Sequence, residues 1–100
     1  MEKLKAHYLL QEIQALVLRD GGRSFTFTAM HGAESMGLSR AEAVGVVLAL
    51  TGTMLYKSMT SNSDNKVWQD VYHAPCPNGK TAYIKLTVQD GAVVIQFKEK

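Results

Sequence analysis

Two residue types that constrain a fold are nearly missing from this chain of 100 residues: it has one cysteine, Cys76, and two prolines, Pro75 and Pro77. A lone cysteine excludes an internal disulfide and suits a reducing compartment. The prolines sit together, so irregular structure is expected at one place, the loop HAPCPNGK over residues 73–80. No apolar run approaches the roughly 18–20 residues that a membrane-spanning helix needs. The start, MEKLKAHYLLQEIQ, is broken by charge and lacks a signal-peptide pattern, so a cytoplasmic protein is expected. There is no glycine-rich phosphate loop and no carboxylate pair with glycosidase-like spacing. Three scattered histidines, His7, His31 and His73, do not make a metal site, and no metal or cofactor is expected.

Charge of one sign is also scarce, since the net charge is only +2. Its placement is uneven. Residues 1–56 carry five basic and five acidic side chains, whereas residues 57–100 carry six lysines against four acids. The whole excess lies in the second part, a mild pointer to an anionic partner.

What is present reads as one domain over residues 1–100. Leu9, Leu10, Ile13, Leu16 and Val17 recur at helical spacing in KAHYLLQEIQALVLRDGG, and Gly21 and Gly22 stop that helix. SFTFT, residues 24–28, suits a short strand or an extended connector, and AMHGAESMGL a short helix ended by Gly37. Ser39 and Glu42 form a capping-box pattern ahead of the apolar run AVGVVLAL, a further helix closed by Gly52. The period then changes to alternation, with strands expected over 53–60, 67–73, 81–89 and 92–98. Helices followed by an antiparallel run of strands define an α+β domain, with the helices packed on one face of the sheet.

The turn Gln89-Asp90-Gly91-Ala92 fixes a register. Asp-Gly between alternating runs signals a two-residue type I′ hairpin. Val88 then faces Val93, Leu86 faces Ile95, and Ile84 faces Phe97, all on one apolar side. On the other side Lys85 faces Gln96 and Tyr83 faces Lys98, the last pair about 5 Å apart at Cβ. Such a face is either a solvated side of an antiparallel sheet or a binding surface.

The stretch YKSMTSNSDNKVWQDVY, residues 56–72, supplies two more strands. Lys57 and Gln69 share parity, so an odd loop at residues 61–66 puts them on one face, while Trp68, Asp70 and Tyr72 alternate to the other. If that face is the face of Tyr83 and Lys98, one patch holds two lysines, a tyrosine and a glutamine. Such a patch suits a phosphodiester. Lysines stabilise the charge of a pentacovalent transition state, glutamine donates a neutral hydrogen bond, and tyrosine stacks on a base or exchanges a proton. RNA supplies its own nucleophile, the 2′-hydroxyl. A lysine acting as base would need its pKa depressed by neighbouring positive charge.

The strings Y-K-S-M-T, W-Q-D-V-Y and F-K-E-K, with the ending YIKLTVQDGAVVIQFKEK, closely resemble the MqsR toxin family of bacterial toxin–antitoxin systems, and the likeness covers nearly the whole chain. The resemblance implies a RelE-like α+β fold and an endoribonuclease, an mRNA interferase that needs no metal and prefers GC-containing sites of the GCU type. It implies growth arrest and links to persistence, biofilm and stress behaviour. It also implies neutralisation by a cognate MqsA-like antitoxin, a zinc-binding protein with a helix-turn-helix domain that contacts operator DNA. The family's functional residues correspond to Lys57, Gln69, Tyr83 and Lys98. One departure stands out: the connector HAPCPNGKTA, residues 73–82, is longer and more proline-rich than the family pattern, and His73 takes the place of an arginine. The rival expectation is a non-catalytic RNA- or antitoxin-binding module with an impaired site.

Overall fold

The Asp90-Gly91 turn has the conformation its sequence predicts. Both residues have positive φ, 52° and 74°, as a type I′ turn requires. The computed structural model describes residues 1–61 and 63–100. In it, β4 (Thr81–Gln89) and β5 (Ala92–Glu99) pair in the expected register, Tyr83 opposite Lys98 and Ile84 opposite Phe97. β2 (Leu55–Thr60) and β3 (Trp68–Pro75) complete an antiparallel meander, and a two-residue strand β1 (Glu2–Lys3) adds to its outer side. The sheet order is β1-β2-β3-β4-β5.

Three helices cover one face of this sheet: α1 (Leu10–Asp20), α2 (Phe27–Ser35) and α3 (Arg40–Leu48). Their buried Ile13, Val17, Ala29, Ala33, Val46 and Val47 pack with Tyr72, Ile84, Leu86, Ile95 and Phe97 of the sheet. This is the α+β architecture expected from the element order, and it is compatible with a RelE-like fold.

Several boundaries differ from the expectation, each for a physical reason. α1 begins at Leu10 because the backbone N–H groups of His7 and Tyr8 are held by the Asp70 carboxylate at 2.9–3.1 Å instead of entering a helix. α2 begins at Phe27, with Thr26 as its N-cap accepting from the Ala29 N–H at 3.0 Å. Only Phe25 of SFTFT makes a strand-like bridge, to Ile95. Ser39 and Glu42 do form a full capping box. α3 ends at Leu48, and Gly52 opens a 3₁₀ turn instead of closing the helix.

The expected loop over 73–80 is shorter than its prolines suggested. β3 runs on through His73, Ala74 and Pro75, and only Cys76–Lys80 turns, closed by the Cys76 N–H on the Lys80 carbonyl at 2.9 Å. Pro75 is tolerated because it is the last residue of its strand. The consequence for the opposite sheet face is direct: His73 stands in the ladder across from Tyr83.

Candidate active site

Strand pairing alone decides which side chains share the face turned away from the helices. Lys57 pairs with Val71, Val71 with Lys85, and Lys85 with Gln96, which makes one row across four strands. The next row holds His73, Tyr83 and Lys98. On the other side of the central row, Gln69 sits opposite Met59. Lys57, Gln69, Tyr83 and Lys98 therefore all lie on one sheet face. The tip of the β2–β3 hairpin includes Asn62, which lies outside the described residues, but the paired strands on either side carry the register.

The four residues are not equally close. The Lys98 ammonium lies 5.3 Å from the Tyr83 ring centroid, and the Lys85 ammonium lies 6.0 Å from it on the other flank. Lys57 stands one row and two strands from Tyr83, about 12 Å at the backbone, and one row and three strands from Lys98, about 16 Å. Gln69 is a further row out and two strands from Lys98, about 16 Å from it by strand and row spacing. A single phosphate cannot touch both ends. The tight part of the patch is Tyr83 with Lys98 and Lys85, and Lys57 and Gln69 lie toward its far margin. Beneath them Val71 is fully buried, which gives the patch an apolar floor.

A bulge between Leu55 and Lys57 adds a residue that alternation alone does not place. The Tyr56 ring stacks on His73 at 4.4 Å and 20°, and His73 in turn lies 5.4 Å from the Tyr83 ring. The Tyr56–His73–Tyr83 run thus crosses three strands. His73 Nε2 is buried and has no hydrogen-bond partner among the described residues. Loss of solvation pushes the His73 imidazole below its ordinary pKa, and Lys100 adds to the effect.

Lys57 differs from the expectation for a base. Its ammonium donates to Glu2 Oε2 at 2.7 Å, and this hydrogen bond raises the Lys57 pKa, the opposite of the depression a general base requires. Glu2 reaches Lys57 because β1 pairs with β2, a contact between residues 55 positions apart. No local pattern announces it. Glu2 and the bulged Tyr56 are the neighbours of the patch that sequence reasoning missed.

The other candidates lie elsewhere. His7 stacks on Trp68 at 5.2 Å beside the N-terminal segment, and His31 lies on the surface of α2. Asp70 and Tyr72 are buried on the helix side, and burial pushes the Tyr72 hydroxyl up to about 12, so Tyr72 takes no part in the patch. Among the described residues no group of three His, Cys, Asp or Glu side chains could hold a metal ion, and no helix is long and apolar enough to cross a membrane.

Fold and patch together define a class: a small α+β domain with lysine and tyrosine side chains gathered on the open face of an antiparallel sheet. Comparison with known proteins carries this further. Residues 5–99 match the MqsR toxin family, described as "Motility quorum-sensing regulator, toxin of MqsA". The chain is also 36% identical to the mRNA interferase toxin MqsR of Escherichia coli (strain K12), over 100 residues that cover 100% of both chains. The chain belongs to the MqsR toxin family.

Proposed function

We propose that this protein is an endoribonuclease toxin that cuts mRNA at GC-containing, GCU-type sites in the cytoplasm and slows growth. The observation that carries the reading is the placement of Lys57, Gln69, Tyr83 and Lys98 on one open sheet face, with Tyr83 and Lys98 adjacent. The substrate's 2′-hydroxyl attacks phosphorus, a P–O2′ bond forms and the P–O5′ bond breaks. The 2′-proton leaves and the departing 5′-oxygen gains a proton. The products are a 2′,3′-cyclic phosphate and a 5′-hydroxyl.

The geometry supports the following residue roles. Lys57, held protonated by Glu2, acts as a phosphate clamp in preference to a base. Lys98 offsets charge on the phosphorane. Tyr83, within 5.3 Å of the Lys98 ammonium, orients the 2′-hydroxyl or supplies a proton. Gln69 reaches a neighbouring phosphate or base edge. In this reading Glu2 occupies Lys57 until phosphate displaces it; the pair is exposed enough for solvent to weaken it.

The partner in this reading is an MqsA-like antitoxin, zinc-binding and helix-turn-helix, through which operator DNA is contacted. We expect it to add a strand at a sheet edge. The β1–β2 side is the more open one, since β1 is two residues long, whereas β5 is already engaged by Phe25 and by the Thr26 N–H on the Ile95 carbonyl. A structure of the complex with both edges unaugmented would contradict this.

The test of the activity uses Lys57→Ala and Tyr83→Phe, checked for native circular dichroism. Both should lose cleavage of an RNA oligonucleotide and toxicity on induced expression. Full activity in both variants sinks the site assignment. Harmless expression of the wild type, with intact transcripts, favours a binding module with an impaired site.

A further inference from the structure

Beyond Tyr83 and Lys98 the patch does not end at the sheet. A cleft of about 660 Å³ opens between β5 and α2. Its sheet wall is Tyr83, Gln96 and Lys98, and its helix wall is Thr28, His31 and Ser35. These three helix residues recur at i, i+3 and i+7, so one face of α2 points along the cleft. The floor is closed by Gly32, where a Cβ would fall 2.2 Å from the Phe97 carbonyl oxygen. Helix and strand backbones are therefore in direct contact, and the two walls are held at a fixed separation.

His31, on the helix wall, is paired with an aromatic ring that lies just outside the cleft. Phe27 is 82% exposed, and its ring lies 5.0 Å from that of His31 one turn away. A single exposed aromatic needs no explanation. An exposed aromatic paired with a second ring, beside a cleft whose other wall carries an ammonium and a primary amide, has the composition of a base-stacking site. Single-stranded nucleic acid is held by stacked aromatic side chains and by groups that reach the base edge.

We propose that the α2–β5 cleft is a nucleobase subsite. It takes the base of an RNA nucleotide next to the scissile phosphate, stacked on His31, whose ring Phe27 backs from outside the cleft, with Gln96 and Ser35 reading its edge. The inference rests on the ribonuclease reading above, because Lys98 and Tyr83 belong to both regions and so set the nucleotide's position. It assigns base selection to a helix face, and it leaves Gln69, on the far side of the patch, to a different nucleotide.

The experiment has two arms. In the first, a random-sequence single-stranded RNA pool is cut by wild type and by Phe27→Ala, His31→Ala and Gln96→Ala, and the bases flanking each cut are counted. All three variants should flatten base preference at one flanking position, and His31→Ala should raise KM about tenfold, the weight of one lost stacking contact. Unchanged preference and KM in all three variants overturn the subsite and leave the ribonuclease reading intact. In the second arm, an oligonucleotide with 2′-deoxyribose throughout, which cannot supply the nucleophile, is titrated in and followed by NMR. Shifts in the His31 ring and Gln96 side-chain amide support the subsite even if the wild type cuts nothing, an outcome that would overturn only the ribonuclease reading. Shifts confined to Tyr83 and Lys98, or no shifts at all, overturn the subsite.

Discussion

Asp70 is nearly inaccessible, and its carboxylate accepts from three donors: the His7 N–H at 2.9 Å, the Tyr8 N–H at 2.9 Å and the Ser58 hydroxyl at 2.6 Å. It ties the N-terminal segment to the middle of the sheet. Replacing it with alanine leaves all three donors without their acceptor. Hydrogen bonds to a charged group contribute about 1.5–3 kcal/mol each, and such losses are not additive. Water can reach part of the freed segment, so the expected cost of Asp70→Ala is about 3–4 kcal/mol. That is a large share of the roughly 5–15 kcal/mol typical of a small domain. Asp70→Asn keeps one acceptor and turns an amide N–H toward a donor, at a cost of about half as much. Urea unfolding is the assay, read by fluorescence of Trp68, the only tryptophan, whose ring stacks on His7 at 5.2 Å. Circular dichroism in parallel checks that both probes unfold together. With a denaturant slope of about 1.5 kcal/mol per molar, the alanine midpoint should fall by about 2 M. A midpoint within about 0.3 M of wild type would refute the account of Asp70 as an anchor.

Three other outcomes can be checked with the same preparation. Gly32→Ala should cost about 1–3 kcal/mol through the clash with the Phe97 carbonyl, whereas Gly45→Ala, with nothing within 4 Å of its new Cβ, should gain about 0.5–1 kcal/mol; thermal midpoints moving in opposite directions test both. His73, with a folded-state pKa below its ordinary 6.5, binds fewer protons folded than unfolded at mildly acid pH, so stability is full above pH 6.5 and falls as pH drops through the folded value. His73→Phe should remove that loss: stability curves of wild type and variant run parallel above pH 6.5 and diverge below it, and curves parallel throughout would contradict the assignment. Cys76 is buried and its thiol is pushed above the ordinary 9.0 by burial, so labelling by a thiol reagent at pH 8 should be slow until urea unfolds the chain, and immediate labelling of the native protein would be the contrary result.

The half of the patch that was legible in the sequence came from local rules. Asp90-Gly91 admits essentially one hairpin, so Tyr83 and Lys98 could be paired by counting, and parity put Lys57 and Gln69 together. Ser39 and Glu42 announced α3 in the same local way. What stayed hidden depends on partners far along the chain. Glu2 meets Lys57 across 55 residues, and Asp70 stops α1 from starting early across 63. Neither has a periodic signature. Pro75 misled in the other direction, because proline marks loops yet is harmless at a strand's last position, so β3 runs two residues past the expected end at His73, through Ala74 and Pro75. The bulge at Tyr56 is likewise invisible to a period of two.

The patch draws on β2, β3, β4 and β5 in chain order, one residue from each strand. Its timing follows from that arrangement. A ribosome delivers Lys57 first and Lys98 last, and about forty residues of synthesis separate them at roughly 5–20 residues per second. Until β5 has emerged and paired with β4, the chain holds Tyr83 without the Lys98 ammonium beside it. Under the proposed function, a nascent copy therefore lacks a complete patch until the last hairpin zips.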